Sequence, residues 1–90
     1  MKNDKTKLAI EELTLVLMYL TRFIDDPRHF PDSNYAWKGY DFDVLGKLLD
    51  KDYIRDGKHP SKSKKVYLTD EGMKYARELL EKYQIQDWKK

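Results

Sequence analysis

Leu48-Leu49-Asp50-Lys51-Asp52-Tyr53-Ile54-Arg55 and, beyond a polar loop, Val66-Tyr67-Leu68-Thr69-Asp70-Glu71-Gly72 decide the fold. The first stretch closes an apolar helical run and passes into a β-prone triplet. The second begins with a matching triplet. It then turns into a helix start, with Thr69 as N-cap and two acids beside the positive helix end. Between them Asp56-Gly57 opens a turn and residues 58–65 are polar and basic. Residues 53–68 therefore read as a hairpin with a long tip.

Outward from that core, Thr69 leads a helix with Met73, Tyr75, Ala76, Leu79, Leu80 and Tyr83 on one face. Lys74, Arg77, Glu78, Glu81 and Lys82 fill the other, with opposite charges at i,i+4 spacing. Gly72 falls on the apolar face, where lacking a side chain lets the hairpin come close. Residues 85–90 read as a frayed extension that carries Trp88. Upstream, Asp41 is a good N-cap for a helix over residues 41–52, and Tyr40 with Leu45 has staple spacing. Phe42, Leu45, Leu48 and Leu49 form its inward face. Asp43, Gly46, Lys47, Asp50 and Lys51 face out.

Residues 26–40 read as irregular. Pro27 and Pro31 punctuate them, and Ser33 is placed to cap a short helical turn ending at Gly39. Five aromatics crowd this region: Phe30, Tyr35, Trp37, Tyr40 and Phe42. They fit either a stacking platform or core bulk, and core bulk is the expectation for a small domain. The N-terminal helix is predicted over residues 6–25, where Pro27 stops it. Ala9, Ile10, Leu13, Val16, Leu17, Leu20, Phe23 and Ile24 form its core face. Leu8, Leu15 and Tyr19 make a second stripe, beside Glu12. Two apolar stripes imply burial on two sides, by the rest of the chain or by a second copy.

Ninety residues make one domain, with a core over about 6–84 and a tail at 85–90. There is no cysteine, which excludes disulfides, thiolate metal sites and thiol nucleophiles together. Two isolated histidines leave almost nothing for zinc. No Gly-rich phosphate loop and no acid–base or nucleophile constellation is present, so the reading is not an enzyme, with no metal and no cofactor. No signal peptide or membrane span is legible in the Leu8–Ile24 run, which Glu11, Glu12 and Arg22 interrupt. A cytoplasmic location is expected.

The net charge of +2 divides unevenly. Residues 55–65 hold five cations against Asp56, a local +4, whereas residues 25–54 sum to −3.

The order is helix, irregular short helix, helix, basic hairpin, helix. With the stretches quoted at the outset, it resembles a winged helix-turn-helix domain. The end of the helix at 41–52, the hairpin and the Leu68-Thr69-Asp70-Glu71-Gly72 helix start resemble MarR-like and PadR-like transcriptional regulators. The segment Ala36-Trp37-Lys38-Gly39-Tyr40-Asp41-Phe42-Asp43-Val44-Leu45 is more similar to a small prokaryotic winged-helix family of unassigned function. The likeness covers about residues 8–84. It implies an α+β winged helix-turn-helix fold: three main helices, a short irregular second helix and a β-hairpin wing.

In that resemblance the helix at 41–52 enters the major groove of double-stranded DNA. Its exposed face offers two acids and two bases, a poor set for groove reading. The hairpin is better suited, since its cations can meet phosphates without regard to sequence. A transcription-regulator-like DNA-binding module is the first expectation. Its contacts are Lys47 and Lys51 on the helix and Arg55, Lys58, His59, Lys62, Lys64 and Lys65 on the wing. The rival is a protein-interaction or dimerisation module on the same fold. A homodimer is expected in either case, through Leu8, Leu15, Tyr19 and Trp88.

Overall fold

The hydroxyl oxygen of Thr69 accepts the Gly72 N–H at 2.9 Å and so opens the last helix. Asp41 does the same for the middle one, taking the Asp43 and Val44 N–H groups on one carboxylate oxygen. These caps satisfy donors that a helix start leaves without partners. The computed structural model describes residues 2–24, 27–29, 31–56 and 64–87. In chain order it shows α1 Lys2–Leu20, β1 Asn34–Trp37, α2 Phe42–Asp50, β2 Ile54–Asp56, β3 Lys65–Leu68 and α3 Asp70–Lys82. The fold is α+β, three helices with one antiparallel sheet in the order β1–β3–β2.

The expected hairpin is present, with Ile54 opposite Leu68 and Asp56 opposite Val66. Residues 34–37 correct the expectation of a helical turn between Ser33 and Gly39. They form a strand, with Asn34 opposite Leu68 and Trp37 opposite Lys65. The partner strand is some thirty residues away, so no local pattern announces it. The first helix also ends earlier than residue 25. Beyond Leu20 the chain straightens, and Phe23 forms a bridge with Tyr35 through two backbone hydrogen bonds of 3.0 and 2.8 Å.

Strand alternation sends Ala36, Ile54, Val66 and Leu68 inward. They share one core with Leu15, Val16, Met18 and Tyr19 of α1, Leu45 and Leu48 of α2, and Ala76, Leu79 and Leu80 of α3. Gly72 is buried against Tyr53, as its place on the apolar face of α3 led one to expect.

The phase of α1 is the main correction. Leu15 and Tyr19, expected at a dimer interface, are 0% and 3% exposed within the single chain. Ile10, Leu13 and Leu17, expected in the core, are exposed. The reason lies in Glu11 and Glu12. Both are buried, and both find cationic partners: Lys51 reaches Glu11, and Lys82 reaches Glu12 at 2.8 Å. A carboxylate so partnered can enter the interior, and it carries its helix face in with it. Phe42 is a further correction, being 87% exposed. It lies about 60° round α2 from Leu45 and about 120° from Leu48, at the edge of the buried face.

Candidate nucleic-acid interface

The alternation that buries Ala36 and Val66 turns Tyr35, Trp37, Arg55, Lys65 and Tyr67 to the opposite side of the sheet. Register aligns them. Phe23 bridges Tyr35, Tyr35 lies opposite Tyr67, and Tyr67 lies opposite Arg55. One row therefore crosses the sheet as Phe23, Tyr35, Tyr67 and Arg55. Trp37 and Lys65 form the next row. The rings touch one another: Phe23 and Trp37 have centroids 4.9 Å apart, and Tyr35 meets Tyr67 edge-on at 6.3 Å. Lys65 Nζ stands 5.5 Å from the Tyr35 ring centroid, within cation–π range. Trp37 remains 55% exposed. With Lys38, Gly39 and Lys64 it lines a hollow of about 450 Å³ at the hairpin-tip end of the sheet.

Two cations near this face are tied to carboxylates. Arg55 binds Asp52 in bidentate fashion, with Nε to Oδ1 at 2.7 Å and a second nitrogen to Oδ2 at 2.9 Å. Asp52 sits just past the C-cap of α2 with φ 63°, a left-handed conformation that Asp tolerates better than most residues. The Thr69 hydroxyl donates to the Asp52 carbonyl at 2.6 Å and fixes that turn. The Arg55 hydrogen bond holds the Asp52 carboxyl below its ordinary range. Asp52, and after it Tyr67, hold Arg55 more firmly protonated still. Lys38 Nζ meets Asp56 at 3.2 Å, and the backbone N–H of Lys38 donates to the Lys64 carbonyl at 2.8 Å.

Of the expected DNA contacts, Arg55, Lys64 and Lys65 come together along this sheet. Lys47 and Lys51 lie on α2, apart from the aromatic rows, and Lys51 is paired with Glu11. Lys58, His59 and Lys62 of the expected wing lie outside the described residues, as do Trp88 of the expected dimer interface and Phe30 of the aromatic cluster. Leu8 is exposed. In the sequence Tyr35 and Trp37 read as core bulk, Phe23 as part of the core face of the first helix and Tyr67 as part of the returning strand, none of them with a binding role. The Tyr35-Ala36-Trp37 alternation was the available signal, since a half-buried strand puts its first and third residues on one side.

A second polar cluster joins the helices. The Tyr75 hydroxyl donates to Glu12 Oε2 at 2.8 Å, and the Tyr83 hydroxyl donates to Glu12 Oε1 at 2.6 Å beside Lys82. Burial alone would raise the Glu12 pKa, but the donors from Lys82, Tyr83 and Tyr75 outweigh it and hold the carboxyl below its usual value. Every oxygen of Glu12 is engaged inside the fold, so the cluster clamps α1 to α3. Near the last described residues, Arg22 lies over the Tyr19 ring at 4.0 Å and reaches the buried Asp87 at 3.5 Å. Among the described residues no group of three or more His, Asp or Glu is placed to hold a metal ion. No described helix is long and apolar enough to cross a membrane.

A family model described as a domain of unknown function (DUF6429) matches residues 6–86. No curated protein and no solved structure matches the chain.

Proposed function

The chain belongs to the DUF6429 family, and from the geometry of its sheet we propose that it is a nucleic-acid-binding module of winged-helix type. The sheet order β1–β3–β2, with α2 between β1 and β2 and the basic hairpin between β2 and β3, supports the winged-helix likeness. The expected short second helix is replaced by β1, so α2 has no preceding helix of a helix-turn-helix pair among the described residues. The exposed side of α2 is acidic at Asp43 and Asp50, and Lys51 is turned to Glu11. Groove reading by α2 is thereby disfavoured.

The observation that carries the reading is the Phe23–Tyr35–Tyr67–Arg55 row with Trp37 and Lys65 beside it. A solvent-facing sheet surface is ordinarily polar. An exposed Trp37 beside half-buried rings, interleaved with cations, suits unpaired bases, which stack on aromatic faces while cations follow the phosphates. The module thus favours single-stranded nucleic acid and reads little sequence. Fluorescence anisotropy with single-stranded and duplex oligonucleotides over a salt series tests this. Salt-dependent binding that favours the single strand is expected. Absence of binding at low salt would remove the reading, and preference for duplex would return the contact to the hairpin cations.

A further inference from the structure

We infer that the cleft under α2 receives one unpaired base of a bound single strand, with its Watson–Crick edge turned to Lys38 and Asp56. The inference deepens the single-strand reading of the sheet and rests on it. The cleft measures about 430 Å³, with α2 on one side and β2 and β3 on the other. Tyr40, Phe42, Leu45 and Val66 give it an apolar lining, and Phe42 stands 87% exposed. An apolar space with a few convergent polar groups is the kind that small flat molecules occupy.

Gly46 is the first sign of an occupant. It lies inside α2, where glycine weakens a helix more than any residue but proline. No described glycine has a positive φ, and nothing outside the helix around Gly46 lies within 4 Å of where its Cβ would stand. Neither backbone conformation nor a neighbour in the fold calls for glycine here, in contrast to Gly72 against Tyr53. What Gly46 supplies is bare helix backbone on the cleft wall, against which a flat ring can lie.

The ion pair of Lys38 and Asp56, 3.2 Å apart, supplies the polar groups. A cation there would meet Lys38 and an anion would meet Asp56, so the occupant is uncharged at this point. Lys38 Nζ carries N–H donors, and the carboxylate has two acceptor oxygens, of which Oδ1 meets the lysine. The pair therefore sets a donor beside an acceptor. Its complement is a flat, uncharged ring whose edge does the same, and the Watson–Crick edge of a nucleobase is such an edge. Each of the four bases offers a donor next to an acceptor, so the cleft asks for an unpaired base without choosing which. In a duplex that edge is taken by the partner strand. Continuity puts the base on a strand held by the sheet, since Lys38 also lines the hollow of Trp37, Gly39 and Lys64. A strand stacked on Trp37 can turn its next base past Lys38 into the cleft.

Fluorescence anisotropy of the full chain with a short single-stranded oligothymidylate tests the inference, beside the same oligomer methylated at every N3. The methyl group removes the edge N–H and keeps the ring and the phosphates. The parent should bind the methylated strand about 10-fold more weakly, the worth of one such edge contact. Gly46→Leu fills the cleft. It should bind the plain strand about 10-fold more weakly than the parent does and no longer tell the two strands apart. Circular dichroism and melting should show it folded, since the site has room and leucine suits a helix. Free thymidine in millimolar excess should not displace the strand, because it lacks the phosphate contacts. A parent that binds neither strand at low salt would overturn the sheet reading, and the cleft with it. A parent that binds both strands alike, whatever the variant does, would overturn the cleft alone. So would a Gly46→Leu protein that keeps the preference for the plain strand. Displacement by thymidine would overturn the strand as the source of the base.

Discussion

The carbonyl oxygen of Tyr53 occupies the space where residue 72 would carry a side chain: a Cβ built on Gly72 falls 2.0 Å from it. The obstacle is backbone, and that backbone is committed elsewhere, since the same oxygen accepts the Thr69 N–H at 3.1 Å. Hairpin entry and helix start are locked at this point. Gly72→Ala should therefore destabilise the domain by about 2 kcal/mol or more, as overpacking does, despite the better helix propensity of alanine. The midpoint of urea unfolding measures it.

The two sides of α1 should answer differently to truncation. Leu15→Ala, at a position with no exposure, should cost about 2–5 kcal/mol. Leu13→Ala, only two residues away, should stay within about 0.5 kcal/mol when measured on the monomer at low concentration. Equal effects would mean that the phase of α1 is wrong.

Acid should weaken the Glu12 clamp. The Glu12 pKa is lowered in the folded state: burial raises it, and the Lys82, Tyr83 and Tyr75 donors more than reverse that. A lowered folded pKa adds stability that is present above the unfolded value, about 4.3, and is lost as pH falls through the folded value. Glu12→Gln should cost about 1–3 kcal/mol at pH 7, and the gap from the parent should close toward pH 3. At the alkaline end, burial and the Glu12 hydrogen bond raise the Tyr75 pKa. Its contribution is whole below about 10 and is lost as pH rises beyond that. Urea midpoints across pH for both proteins resolve the two limbs.

Nucleic-acid affinity should depend on Trp37 and on what Arg55 is bound to. Trp37→Ala should weaken single-strand binding by roughly 1–3 kcal/mol, the worth of one stacked base, with an unchanged melting temperature. Asp52→Gly keeps the left-handed turn, which glycine adopts freely, and releases Arg55 from its carboxylate. Binding should tighten, and the slope of log affinity against log salt should steepen by about 0.7 for the one added phosphate contact on a single strand. An unchanged slope would show that Arg55 does not reach the phosphates.

What could be read in the chain was whatever is local. Thr69 as a cap, the Gly72 approach, Asp41 before α2 and the two β-prone triplets of the hairpin each depend on neighbours within a few residues. What was misread depended on distant partners. Residues 34–37 look irregular until β3 is beside them. Glu11 and Glu12 look like an outer face until Lys51, Tyr75, Lys82 and Tyr83 arrive, forty to seventy-one positions later. An apolar helix gives periodicity no phase, so two carboxylates decided its orientation and decided it wrongly. The aromatic–cation rows were hidden for the same reason. Tyr35, Tyr67 and Arg55 are adjacent only through cross-strand register.

The central strand of the sheet is the last of the three in the chain. Neither β1 nor β2 has a sheet partner until residues 65–68 are present, since each pairs with β3 and not with the other. On a ribosome, which delivers the N-terminus first, those two segments must wait for β3 to clear the exit tunnel. Apart from the bridge from Tyr35 to Phe23, the segment that carries Tyr35 and Trp37 then has no strand beside it throughout that interval. The domain gains its sheet in one late step, and the wait is where a chaperone or a stray strand from another molecule would find it.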